Sequence, residues 1–346
     1  YKMKTYNIYD INNSLKTKLL NYIQAQYLGE NELLLDICND MLKEKGVLFQ
    51  EPYIEANPAY ETIEGGITKA NIPLYAKNIL LGMVDKNLGV FNDPFVHQLR
   101  ALECFYQGKE LLVATGTGSG KTECFMWPMI SSMVGEAMHR PTSWAQRGIR
   151  ALILYPMNAL VSDQVGRLRR MIGDGKGSFR KIFDENTGND DLRTPQFGMY
   201  TGRTPYPGAK DMEKDKELAS TLQTDLIQTD PEIRKKLIEI GKIPSKYDLE
   251  NYIMNLNNNK HISDIRDAEL ITRMEMQKTC PDILITNYSM LEYMMIRPIE
   301  QCIWNETKLW LDQSNQNKLI VIIDEAHMYR GSSGGEVSFL IRRLLY

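Results

Sequence analysis

The run ATGTGSGKTE, Ala114–Glu123, constrains this chain more than any other stretch. It follows an apolar segment, Leu111–Ala114, and opens onto a stretch of helical character, Lys121–Glu136. Gly116, Gly118 and Gly120 let the backbone wrap tightly with its N–H groups turned inward, which makes a cradle for phosphate oxygens. The N-terminus of the following helix adds partial positive charge. Lys121 is placed to reach the β- and γ-phosphates of a nucleoside triphosphate, and the Thr122 hydroxyl suits Mg²⁺, which prefers oxygen ligands. Thr115 stands where the usual pattern of such loops has its first glycine. A glycine-rich turn with no ligand is the competing reading, and the strand–loop–helix setting argues against it.

That setting repeats along the chain. Short apolar runs at Leu111–Ala114, Ala151–Tyr155, Gln196–Tyr200, Ile283–Thr286 and Leu319–Ile323 read as strands, and Lys121–Glu136 and Ala159–Ile172 as helices between them. Near-continuous apolar strands alternating with helices predict an α/β fold built on an open, doubly wound parallel sheet. Residues 88–346 are assigned to it. Residues 1–87 read as a mainly helical accessory segment, with Leu19, Leu20, Ile23 and Tyr27, then Leu33, Leu34, Ile37 and Met41, at helical spacing. Residues 205–279 are polar and too long for an ordinary connection. They predict a helical insertion with helices at Glu232–Ile240, Tyr247–Leu256 and Ser263–Gln277.

A carboxylate that holds the metal is expected at the end of another strand. Leu319–Ile323 runs into Asp324-Glu325-Ala326-His327. An acid at the C-terminal end of a parallel strand faces the ligand crevice of an open α/β sheet. Asp324 is therefore the candidate to position Mg²⁺. Side chains alternate along an extended chain, so Glu325 points elsewhere and is the candidate to orient or deprotonate an attacking water. His327 is the candidate to couple the γ-phosphate to a second domain. The nucleotide itself falls to Thr117, Gly118, Ser119, Gly120, Lys121, Thr122 and Glu123.

The net charge of −3 provides no bulk basic field for nucleic acid, while leaving room for local patches. The five cysteines have no metal-binding spacing, which fits reduced thiols and a cytoplasmic location, and no apolar run is long enough for a bilayer. Tyr1 in place of an initiating Met, and the stop at Tyr346 soon after the acid pair, give the expectation of a piece of a longer protein.

ATGTGSGKTE together with DEAH resembles the superfamily 2 helicases and translocases of DEAH-box type. FNDPFVHQLRAL, Phe91–Leu102, looks like the family's adenine-reading segment, with Gln98 at the matching position. LILYPMNALVSDQ, YTGRT and ILITNYSMLEYM resemble blocks that contact the nucleic-acid backbone. Onto these the resemblance places Asn158, Gln164, Thr201, Gly202, Arg203, Thr286, Asn287 and Ser289, although turn or capping roles compete for Asn158 and Asn287. DEAHMYRGSSGGEVSFLIRRL looks like large bacterial helicases related to DNA-repair and phage-defence enzymes, including DISARM-type systems. The resemblance covers residues 88–346 well, the N-terminal segment moderately and the insertion weakly.

It implies a first RecA-like motor domain that binds ATP and Mg²⁺ and grips nucleic acid, DNA rather than RNA, by sequence-independent backbone contacts. A second RecA-like domain and other defence-system subunits are the implied protein partners. A trans-acting arginine is worth about 10³–10⁵ in rate, so these 346 residues alone are expected to bind ATP weakly and turn it over slowly. An RNA-directed enzyme and a nucleotide-gated assembly or sensor subunit are the other readings. Glu325 argues against a pure switch, and the ordered blocks argue against a small-molecule kinase.

Overall fold

Five strands give the chain its frame: β1 (Ala151–Tyr155), β2 (Phe197–Tyr200), β3 (Glu269–Leu270), β4 (Ile283–Asn287) and β5 (Ile320–Ile323). In the computed structural model, which describes residues 7–28, 32–44, 46–50, 59–116, 118–173, 177–205, 212–224 and 229–345, they form one sheet in the order β3-β2-β4-β1-β5. All pairs are parallel, with Ile153 opposite Ile285 on one side and Ile322 on the other. Every residue of β1 is buried. Its side chains alternate: Ala151, Ile153 and Tyr155 join a core with Trp127, Met129 and Ile130, whereas Leu152 and Leu154 join one with Leu291, Met294 and Ile303. Helices thus cover both faces, as the α/β reading expects.

The chain divides into two compact units, Tyr1–Ala59 and Tyr60–Tyr346. The first holds the helix Ile8–Ile23, capped by the Asn7 carboxamide at the Asp10 N–H (2.8 Å), a π-helical turn Gln24–Leu28, and the helix Glu32–Lys43. Much of the connector expected at residues 49–60 lies outside the described residues. The division falls before residue 88, where the sequence reading put it. The reason is packing: Ile67, Ile79, Leu80 and Met83 are buried in the same core as Trp127 and Ile153.

Two further expectations are corrected. Leu111–Ala114 is not a strand; residues 109–116 carry no regular structure, and Leu112 is 92% exposed. Between this segment and β5 lies a cavity of about 1220 Å³, lined by Leu111–Ala114 on one wall and Ile320–Ile323 on the other. Among the described residues β5 therefore pairs with β1 alone. The helix expected at Ser263–Gln277 is confined to Arg273–Lys278. Its first half contains β3, where Glu269 is buried against Arg169 (2.6 Å) and Leu270 continues the sheet edge. The insertion proper has helices Met212–Leu222, Pro231–Glu239 and Leu249–Asn257, and a small core of its own around Leu222, Tyr252, Ile253 and Leu256. Among the described residues no helix is long and apolar enough to cross a membrane.

Candidate functional site

The glycine-rich loop is held in shape from both sides. Gly118 (φ 77°) and Gly120 (φ 72°) adopt the left-handed backbone that only glycine tolerates freely, and a Cβ at Gly120 would collide with the Gln98 carboxamide. Gln98, 2% exposed, donates from Nε2 to the Gly120 carbonyl (3.0 Å) and accepts the Phe95 N–H at Oε1 (3.0 Å). The structure thus gives Gln98 the task of clamping the loop, a role that the expectation of direct base reading did not include. His97 Nε2 lies 2.8 Å from the Ser119 carbonyl, and the Thr115 and Ser119 hydroxyls bond at 2.6 Å. Thr117 lies outside the described residues.

Next to this loop is an aromatic group that sequence reasoning missed. The ring centroids of Tyr60, Phe95 and His97 lie 5.5–5.6 Å apart, and a Cβ at Gly116 would strike the Tyr60 hydroxyl. The signal available was the aromatic pair flanking Val96; Tyr60 is too distant in sequence to be read with it.

The helix begins at Glu123, two residues further on than Lys121, so Lys121 and Thr122 sit in the entry turn. Thr122 is buried and makes no side-chain capping bond, which leaves its hydroxyl available. Glu123 accepts from Arg167 at 2.8 Å through one carboxylate oxygen; the other is buried without a hydrogen-bond partner among the described residues.

Asp324 extends the β5 ladder by one bond, from its N–H to the Leu154 carbonyl (3.1 Å). Its Oδ1 accepts the Glu325 N–H at 2.9 Å. Burial pushes the Asp324 carboxyl above its usual range; the Glu325 charge adds to this, while the Glu325 N–H, Lys121 and Arg167 oppose it. Glu325 itself has φ 51° and ψ 39°, a left-handed backbone rare outside glycine, and this turn separates its side chain from that of Asp324. The Glu325 carboxylate meets His327 Nδ1 at 3.2 Å. Gly116, Lys121, Asp324, Glu325 and His327 all line the 1220 Å³ cavity, so the structure brings together the loop and the acid pair. Behind them the Tyr155 hydroxyl is fully buried; no partner among the described residues meets hydrogen-bond geometry, and the Asp324 carboxyl is the acid that acts on it.

The residues expected to touch nucleic acid divide into two groups. Asn158 and Asn287 bond each other at 2.8 Å, and Asn287 also caps the helix Tyr288–Ile296 through the Met290 N–H. Gly202 and Arg203 are exposed and Ser289 is half-buried. Three others are corrected: Thr201 (1% exposed), Thr286 (0%) and Gln164 (8%) are buried. The Thr286 hydroxyl donates to the Tyr200 carbonyl at 2.6 Å, and the Thr201 hydroxyl accepts the Arg203 N–H at 3.2 Å. The Thr201 and Thr286 side chains thus bond the chain around the turn, while Gln164, in the helix Asn158–Met171, keeps a buried Oε1 without a hydrogen-bond partner among the described residues.

Comparison with known proteins agrees with the loop. Residues 95–196 match the DEAD/DEAH box helicase family. The Druantia protein DruE of Escherichia coli is 41% identical over 97% of this chain and 19% of its own length. An uncharacterized ATP-dependent helicase of Methanocaldococcus jannaschii is 20% identical over 72% of this chain and 23% of its own. The chain thus spans about a fifth of the length of these relatives. A crystal structure of the DUF1998 helicase MrfA bound to DNA and AMPPNP aligns with a TM-score of 0.42 at 20% identity, covering 89% of this chain and 28% of that one.

Proposed function

From a chain that carries a DEAD/DEAH box helicase domain of superfamily 2, we propose a RecA-like motor domain that binds ATP with Mg²⁺ and couples its hydrolysis to movement along nucleic acid, DNA in preference to RNA. The observation that carries this reading is the cavity shared by Gly116 and Lys121 of the loop and the Asp324–Glu325 pair. The residues fit the expected ligands. The loop offers inward backbone and a cation, Thr122 and Asp324 are oxygen donors, and Glu123 keeps a buried acceptor oxygen without a partner. Bound Mg²⁺ would neutralise charge that develops on the phosphates. Lys121 would hold the phosphates, Asp324 and Thr122 would hold the metal, and Glu325 would position a water and accept its proton. Tyr60, Phe95 and His97 offer ring faces for the base.

On the nucleic-acid side, Gly202, Arg203, Ser289 and the Asn158–Asn287 pair contact the phosphate backbone without reading sequence. His327 passes the state of the site to a second RecA-like domain. A place in bacterial anti-phage defence, alongside other subunits in the cytoplasm, completes the proposal. The test is ATP turnover by the full-length protein with single-stranded DNA, duplex DNA and RNA side by side, together with Glu325→Gln. That variant should bind ATP normally and lose turnover by about 10²–10⁴-fold. Normal turnover by Glu325→Gln would remove the proposed mechanism.

A further inference from the structure

We infer that Arg273, the first residue of the helix that leads out of the insertion, is a positioning residue for the Thr201–Pro205 turn, and that the insertion controls nucleic-acid binding through it. The inference rests on reading that turn as a backbone contact.

Arg273 is 2% exposed. Its Nη2 donates to the Thr201 carbonyl at 2.7 Å, and its backbone N–H donates to the Pro205 carbonyl at 3.3 Å. One residue therefore grips both ends of a turn whose middle, Gly202 and Arg203, faces solvent. The guanidinium lies 4.9 Å from the Tyr200 ring centroid, and the Tyr200 hydroxyl donates to the buried Glu300 at 2.8 Å. Burying a guanidinium is costly unless it is paired and hydrogen-bonded, and here the Thr201 carbonyl, the Tyr200 ring and the charge of buried Glu300 meet that need.

The other end of the device lies two residues further on. Glu275 is buried and collects the insertion's polar groups: Lys246 Nζ, the Tyr252 hydroxyl (2.9 Å), the Ser263 hydroxyl (2.9 Å) and the N–H groups of Ile271 and Thr272 (3.0 Å each). Tyr252 also packs in the insertion's own core with Leu222 and Leu256. The single short helix Arg273–Lys278 thus holds the insertion through Glu275 and the turn through Arg273. A shift of the helix Leu249–Asn257 that pulls on Tyr252 must reach the Thr201 and Pro205 carbonyls and change how Gly202 and Arg203 are presented.

The test uses the full-length protein with Arg273→Met, Arg273→Lys and Tyr252→Phe. The readouts are the Kd for fluorescein-labelled oligo-dT by anisotropy, ATP turnover without nucleic acid, and the thermal midpoint. Losing a charged hydrogen bond to a carbonyl should raise the Kd of Arg273→Met roughly tenfold. Arg273→Lys, which keeps a charged donor, should recover most of that affinity. Tyr252→Phe should raise Kd about twofold to threefold from within the insertion. Turnover without nucleic acid should stay at the wild-type level in all three. Unchanged Kd in a folded Arg273→Met overturns the proposal, as does an equal loss of Kd and basal turnover. If Arg273→Met does not fold, unchanged Kd in both Arg273→Lys and Tyr252→Phe overturns it. A wild-type protein that binds neither DNA nor RNA would instead remove the reading of the turn on which this rests.

Discussion

Where the strands begin, buried charges meet opposite charges; where they end, charged side chains line a cavity. At the first edge, Arg150 meets Glu136 at 3.0 Å and Asp282 at 3.4 Å, Arg193 pairs with the same Asp282, and Trp310 Nε1 donates to Glu136 at 2.9 Å. Arg150 lies against the rings of Trp144 and Trp310, with centroids 5.0 and 4.5 Å away. Each edge keeps buried atoms without hydrogen-bond partners among the described residues, Arg193 Nε and Asp282 Oδ1 at the first and one Glu123 oxygen and the Tyr155 hydroxyl at the second, where Thr122 also makes no capping bond. Both edges bury polar chemistry, so burial alone does not mark a site. The difference lies in where the charges face: at the first edge opposite charges meet one another, and at the second Lys121, Asp324 and Glu325 line a cavity. A network of paired charges acts on stability, and one that faces a cavity is poised for a ligand.

If that distinction holds, substitutions at the two edges should move different observables. The largest effect is expected for Lys121→Ala in the full-length protein: loss of phosphate-directed charge should cut ATP turnover on the order of 10³-fold or more while the thermal midpoint stays put. A drop in midpoint that accounts for the lost turnover would erase the contrast. Asp282→Ala should do the reverse, costing about 3–5 kcal/mol in urea unfolding because it strands buried arginines. Its pH dependence has a defined sign. Burial disfavours the charged Asp282, and Arg193, Arg150 and Arg147 outweigh it, so the folded carboxyl titrates below its usual range. The stabilisation is complete above the unfolded value of about 3.9 and is lost as pH falls through the folded one. Acid unfolding of Asp282→Asn should accordingly lack that component.

Tyr155→Phe sharpens the comparison on the site side. Deleting a buried hydroxyl without a partner should leave stability unchanged or raise it by about 1 kcal/mol. A stability loss of that size would show that the hydroxyl is answered within the protein. The smallest effect belongs to Glu123→Gln. Its bridge to Arg167 is partly exposed, so stability should fall by at most about 1 kcal/mol, measured as the urea midpoint in a double-mutant cycle with Arg167→Gln.

What could be read in advance follows the same physics. β1 and β4 are apolar over nearly their whole length because both faces are covered, and β5 has the same composition although Ile323 is exposed; such runs stand out directly. Leu111–Ala114 has the same composition yet no partner strand, since pairing depends on what lies alongside and not on the run itself. β3 is two residues long and buries a glutamate, and no periodicity survives in so short a piece. At the site, glycine spacing and the acid pair named the right residues because their chemistry is local. Thr201, Thr286 and Gln98 were assigned outward roles that their burial denies or redirects; a small polar side chain in a motif reads the same whether it faces a ligand or a neighbouring carbonyl.

β5 also has a consequence for the behaviour of the chain in a tube. Ile320, Ile322 and Asp324 lie on the β1 side of its hydrogen-bonding pattern, so the amides of Val321 and Ile323 open toward the cavity. Four consecutive β-branched residues with an open ladder form a template for another extended chain. Solutions of these 346 residues should scatter more light per molecule as they are concentrated, and a charged substitution at Val321 should suppress that growth. Colloidal behaviour, then, is a readout of how well the sheet's last strand is covered.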